Sequence, residues 1–259
     1  MAKKVRLDLL VHERGLAGSR AQAQLLIREG RVRLNGEACD QPGRAVNPES
    51  RVELTGKPPF VSRGGEKLEA ALQMLPVIVK GKTCADVGSS TGGFTDCLLR
   101  HEAGRVYAID VGRGILDWKL RNDSRVVVLE GVNARYLRSL PEPVGLATAD
   151  ASFISLRLLL PAMVGWLDAH GEIVALVKPQ FEAGRREVGR GGVVRDPQVH
   201  RRAIAEVVRA AGSLGLFAHG LLLSPLVGPA GNREFLLWLR REPSDILLET
   251  LLDQAVPTR

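Results

Sequence analysis

From residue 60 onward, short apolar runs alternate with amphipathic stretches, and that alternation predicts the architecture. Apolar runs at 83–87, 106–110, 126–129, 146–150, 172–177, 216–223 and 235–239 read as strands. Helical spacing marks 66–75 and fills most of the later gaps, at 93–100, 115–121, 155–167 and 197–214. Strands alternating with helices imply an α/β fold with a mostly parallel, doubly wound, Rossmann-like sheet. The seventh strand follows the sixth without a helix, so it is expected to run antiparallel. Leu247, Leu248, Leu251 and Leu252 suggest one further helix over 244–254.

The first 56 residues follow a different plan. Helical spacing at 6–16 puts Leu7, Leu10 and Val11 on one stripe, and at 19–29 it turns Ala23, Leu26 and Ile27 inward. Ser19 suits an N-cap, and Gly15 and Gly30 fall where C-caps belong. Short strands at 32–34 and 51–54, with an Asn35-Gly36 turn after the first, complete a small α+β module. The run from Thr55 to Pro59 breaks all periodicity. The expected division is a small domain at 1–56, a linker at 57–62 and a large domain at 63–259.

Composition narrows the class. The 259 residues are 45% hydrophobic with a mean hydropathy of 0.00, as in ordinary soluble proteins. The longest apolar stretch, 154–167, is broken by Ser155, Arg157 and Pro161 and falls short of the roughly 18 apolar residues a membrane span needs. No apolar signal segment opens the chain, which suits a cytoplasmic protein. Cys39, Cys84 and Cys97 and the five histidines read as scattered, so no disulfide framework and no metal site is expected. Residues 1–57 hold 11 Lys/Arg against 7 Asp/Glu, or +4 of the chain's +7. A small basic module suggests an anionic partner, nucleic acid above all.

The segment 83–95 ends a strand and opens a helix, with a D-x-G-x-x-x-G spacing from Asp86 through Gly88 to Gly92. Glycines there let the backbone turn tightly near a ligand, and the helix start favours a carboxylate. Twenty-four residues after Asp86, Asp110 ends the next strand, where an acid can bind both ribose hydroxyls of an adenosine. The pattern resembles an S-adenosylmethionine site made of Asp86, Gly88, Ser89, Ser90, Gly92, Gly93, Phe94, Asp110, Val111, Asn133 and Asp150. Neither G-x-G-x-x-G nor Gly-Lys-[Ser/Thr] occurs in the loop, which argues against a dinucleotide site and a P-loop.

Four charged residues, Lys67, Asp150, Lys178 and Glu234, each fall at a strand or helix end bordering one sheet edge. Their order is that of FtsJ-like ribose 2′-O-methyltransferases. The motifs SRGGEKL (62–68), DVGSSTGGFTD (86–96), DASFISL (150–156), VKPQFE (177–182), GGVVRDP (191–197) and GNREF (231–235) resemble the TlyA family. That family joins a methyltransferase domain to an S-four-type RNA-binding module, which residues 6–36 resemble. The resemblance implies S-adenosylmethionine as cofactor, a ribose 2′-hydroxyl of cytidine in ribosomal RNA within the subunits as acceptor, and the four charged residues as the catalytic set. With Lys178 as base, Lys67 and Asp150 would shape its charge state and Glu234 would complete the network. A monomer is expected.

Arg6 and Arg20 are the first candidates for RNA phosphate contacts, followed by Arg28, Arg31 and Arg33, with Arg63 at the domain junction and Arg135 and Arg138 following the cofactor rim. The loop 184–195 adds four arginines and four glycines, as in a flexible basic flap. Three alternatives stay open on sequence: another adenosine-cofactor enzyme such as a dehydrogenase, an RNA-binding assembly factor with a vestigial enzyme fold, and a membrane-active haemolysin.

Overall fold

The computed structural model describes residues 4–28, 30–56, 59–228 and 231–256, and the chain divides into two compact units, 1–63 and 64–259. Arg63 therefore groups with the small unit, where its guanidinium pairs with Asp40 at 3.1 Å. Of the expected linker, Lys57 and Pro58 lie outside the described residues.

In the small unit, β1 (Val5–Arg6) leads into α1 (Leu7–Glu13) and α2 (Arg20–Arg28), followed by β2 (Val32–Leu34), β3 (Glu37–Cys39), β4 (Ala45–Val46) and β5 (Val52–Leu54). The two helices bury Leu7, Leu10, Val11, Ala23, Leu26 and Ile27 against Val32 and Val46. The Ser19 hydroxyl accepts from Gln22 N at 3.1 Å, as an N-cap should. Asn35 and Gly36 both take positive φ, 53° and 88°, the requirement of a two-residue hairpin turn. That turn creates β3, whose Glu37–Cys39 run carries no alternation to announce it. β2 pairs antiparallel with β3 and β5, and β1 with β4.

The large unit opens with α3 (Gly64–Met74) and continues as β6 (Thr83–Val87), α4 (Gly93–Arg100), β7 (Arg105–Asp110), α5 (Trp118–Arg121), β8 (Val126–Glu130), β9 (Val144–Ala149), α6 (Leu156–Trp166), β10 (Leu167–Val177), α7 (Pro179–Glu182), α8 (Pro197–Gly212), β11 (Phe217–Leu223), β12 (Phe235–Arg240) and α9 (Leu248–Ala255). The seven strands form one sheet in the order β11-β12-β10-β9-β6-β7-β8. β12 is antiparallel to both neighbours; the other pairings are parallel. The sheet is buried on both faces by residues such as Ile109, Leu146, Leu160, Ile173, Leu176 and Phe235, so its strands read as continuous apolar runs. After β8 the chain returns to the far side of β6, and the β6/β9 boundary is where winding reverses. Ligand crevices open at such a reversal, beyond the carboxyl ends of the strands.

The expected helix at 115–121 is shorter than its pattern. The Glu130 carboxylate accepts from the N–H groups of Gly114, Ile115 and Leu116 at 2.8, 3.1 and 3.2 Å, which holds that backbone in a loop until Trp118. Among the described residues, no helix is long and apolar enough to cross a membrane.

Candidate active site

The crevice beyond β6, β7 and β9 is a cavity of about 440 Å³, within the usual size for a small-molecule site. Gly88, Ser90, Asp110, Val111, Asn133 and Asp150 line it. Asp86, Ser89, Gly92, Gly93 and Phe94 are not among its lining residues; Asp86 is wholly buried behind the loop. Its carboxylate accepts from the Thr95 hydroxyl at 2.6 Å and the Thr148 hydroxyl at 3.3 Å. Burial pushes its carboxyl up to about 7, although the Thr95 hydroxyl pulls the other way.

Gly88 turns with φ +79°, and a Cβ there would stand 2.8 Å from the Asp150 carbonyl oxygen. Only glycine lets the loop lie so close to the end of β9. Asp110 steers the same loop, accepting from Ser90 N at 2.8 Å and Gly112 N at 2.7 Å. Asn133 accepts from Arg135 N at 3.1 Å and so caps the turn at Ala134–Tyr136. An acid at a strand end, an amide beyond the next strand and a glycine turn beneath them suit a nucleoside carrying an amino-acid tail.

The four charged residues are joined through Asp150, the one of them that lines this cavity. Lys178 Nζ lies 2.6 Å from Asp150 Oδ1, Lys67 Nζ lies 3.5 Å from Asp150 Oδ2, and Lys67 Nζ lies 2.7 Å from Glu234 Oε2. The result is a chain of alternating charge, Lys178–Asp150–Lys67–Glu234. The Glu234 and Lys178 side chains are 1% and 7% exposed, so these charges interact through little water. Burial works against ionisation of Asp150, but the two ammonium groups outweigh it and hold its carboxyl below the usual range. Glu234 directly precedes β12 and reaches this edge because that strand runs antiparallel.

Three features of the site escaped the sequence reading. Ser152 accepts from Lys178 Nζ at 2.9 Å. Phe153 takes φ +63°, is 91% exposed, and sets its ring 5.2 Å from that of Phe181. Such a backbone is rare for a bulky residue and points to function. Glu182, buried beside them, accepts from Ser155 Oγ at 2.5 Å and Leu156 N at 2.7 Å, fixing the start of α6. All three lie inside motifs quoted above, yet only the folded chain gives them partners.

The basic candidates fall into groups. Arg6 and Arg20 converge on the buried Asp8: Arg6 donates to both carboxylate oxygens at 3.0 Å and Arg20 to one at 3.1 Å. Hydrogen bonding from Arg6 leads the causes that hold the Asp8 carboxyl far below the usual range. Both arginines remain half exposed. Arg28 and Arg33 are exposed, whereas Arg31 is partly buried and its Nε is enclosed without a hydrogen-bond partner. In the large unit, exposed Arg135 and Arg138 flank a shallow groove, with Arg135 5.4 Å from the Tyr136 ring centre. The scattered reading of the cysteines and histidines needs one correction: Cys97 and His101 stand together with Glu69.

The comparisons agree with this geometry. The profile of the FtsJ-like methyltransferases matches residues 60–241, and that of the S4 domain matches residues 5–52. The 16S/23S rRNA (cytidine-2'-O)-methyltransferase TlyA of Mycobacterium tuberculosis is 47% identical, over 99% of this chain and 97% of its own. Hemolysin A of Brachyspira hyodysenteriae is 38% identical, over 90% and 98%. A solved Streptococcus thermophilus protein, described as a proposed hemolysin, superposes with a TM-score of 0.76 at 40% identity, covering 98% of this chain and 96% of that one. Fold and site define a methyltransferase joined to a small RNA-binding module. The chain belongs to the FtsJ-like methyltransferase family, with an S4 domain at its N-terminus.

Proposed function

We infer that this protein methylates the ribose 2′-hydroxyl of cytidine in ribosomal RNA, taking the methyl group from S-adenosylmethionine. The observation that carries the reading is the buried Lys178–Asp150–Lys67–Glu234 chain, which meets the cavity at Asp150. A near-full-length relative named for 16S and 23S rRNA supports both subunits as targets. Action in the cytoplasm as a monomer completes the proposal.

S-adenosylmethionine supplies, when bound, a methyl group already activated by positive sulfur. Gly88, Asp110, Asn133 and the loop from Asp86 would hold it. What remains for the protein is to place the hydroxyl and remove its proton. Lys178 Nζ takes that proton at the cavity edge. With Lys178 neutral, the four groups carry one net negative charge, which suits a cationic methyl donor beside them. Lys67 bonds both Asp150 and Glu234, so the Asp150 carboxylate is shared between two lysines and held in place beside Lys178. Phe153 offers an exposed ring face on which a base can stack. Arg6, Arg20 and the other basic side chains contact phosphates.

Lys178→Ala should lower the transfer of labelled methyl to ribosomal subunits by roughly 100- to 10,000-fold, the span that general-base catalysis supplies. S-adenosylmethionine binding, followed by calorimetry, should stay within about threefold of the parent's. Turnover close to the parent's would remove Lys178 from the role of base.

A further inference from the structure

On one flank of the methyltransferase unit α3 packs against α4, and three side chains with metal-binding atoms meet between them. Cys97 and His101 stand one helical turn apart at the end of α4, so they share a face. Glu69 comes from α3. Its Oε2 lies 2.7 Å from His101 Nε2 and 3.6 Å from Cys97 Sγ, and all three ligand atoms lie within 4.8 Å of one another. The other carboxylate oxygen accepts from Gln73 Nε2 at 2.7 Å, which fixes how Glu69 points. None of the three residues lines the methyl-donor cavity.

We propose that Glu69, Cys97 and His101 form a binding site for a thiophilic divalent cation of the zinc class, which pins α3 to α4.

The donor set decides the class of ion. One sulfur, one imidazole nitrogen and one carboxylate oxygen match zinc, while magnesium and calcium prefer oxygen alone. Bonds of about 2.0–2.3 Å around a tetrahedral ion place its donors roughly 3.3–3.7 Å apart. The Cys97–Glu69 separation of 3.6 Å already meets that, and the His101–Glu69 pair must open by less than about 1 Å. Gln73 is the kind of outer partner that orients a ligating carboxylate. Cys97 is fully buried, while the His101 and Glu69 side chains are 36% and 26% exposed. The ion therefore enters from the solvent side, with the soft sulfur at the base and the fourth position left to water. As the sulfur–metal bond forms, the thiol proton passes to solvent and no electrons change hands. The clamp joins the helix that carries Lys67 to the helix that opens at the glycine loop, so it stabilises the frame of the active site without touching the reacting atoms.

Cobalt(II) chloride titrated into the metal-free, full-length protein gives the direct test. One cation per chain should bind, with a thiolate-to-cobalt band in the near ultraviolet and the strong visible bands of four-coordinate cobalt. Zinc chloride should displace it and raise the melting temperature, whereas magnesium chloride should do neither. Cys97→Ser should abolish the near-ultraviolet band. His101→Ala, at the partly exposed helix end, should weaken zinc binding by at least the roughly 10- to 100-fold that losing an outer partner costs. Absence of the thiolate band in the parent protein would overturn the proposal whether or not the variants fold. So would zinc affinity unchanged in both variants.

Discussion

Asp8 illustrates how a single buried acid can organise surface chemistry. Its side chain has no exposure, yet Arg6, Arg20 and Gln24 all donate to it. Two long cations are thereby held side by side on the S4 domain before any RNA arrives, which lowers the entropy cost of a phosphate contact. Asp8→Asn should raise KM for ribosomal subunits about tenfold with kcat nearly unchanged, and should cost the small unit about 1–3 kcal/mol. An unchanged KM in steady-state methyl transfer would separate the two arginines from RNA binding. Asp86 presents the opposite case, an acid kept near neutrality by burial. Its pKa, raised to about 7 from roughly 3.9 in the unfolded chain, means that the folded form holds a proton the unfolded form has lost across that window. Stability contributed at this residue should fall as pH rises from about 4 to 7, by at most about 1.4 kcal/mol per pH unit. Urea unfolding of the parent and Asp86→Asn should show that divergence; parallel pH profiles would refute it.

At the scale of elements, the glycine loop between β6 and α4 depends on how closely it approaches β9. Gly88→Ala adds a Cβ 2.8 Å from the Asp150 carbonyl oxygen in a left-handed conformation. Strain of about 1–3 kcal/mol should lower the melting temperature and displace Asp150. Calorimetry should find the methyl donor bound at least about tenfold more weakly. Parent-like binding would show that this close approach is dispensable. The strands and long helices could be read in the sequence because burial on both sheet faces writes unbroken apolar runs. β1 and β4 could not, since two residues carry no period. Hydrogen bonds to distant residues also escape periodicity, as where Glu130 unwinds the start of α5, and a four-residue helix such as α7, begun by Pro179 directly after Lys178, is too short to show a period. For the site, the motifs named Lys67, Asp150, Lys178 and Glu234 because each falls at an element's end. Ser152, Phe153 and Asp8 went unnoticed because their significance lies in a partner or a backbone angle. Cys97 and His101 seemed scattered because Glu69, which joins them, comes from another helix.

Across the whole molecule, charge and chemistry are divided between the two units. The first 63 residues carry +5 and the remaining 196 carry +2, so the smaller unit is the more densely basic and supplies affinity for a polyanion. The larger unit holds the cavity and the four charged residues. Membership of the FtsJ-like family removes the dehydrogenase reading. The intact, mutually bonded set at Lys67, Asp150, Lys178 and Glu234 is not what a vestigial fold would keep. Hemolysin names occur among the relatives, but the described residues include no helix able to cross a membrane. Ribosomal subunits incubated with the enzyme and methyl-deuterated S-adenosylmethionine, then digested to nucleosides, should yield labelled 2′-O-methylcytidine by mass spectrometry. Label on a base carbon or an exocyclic amine, or no labelled nucleoside, would contradict the account.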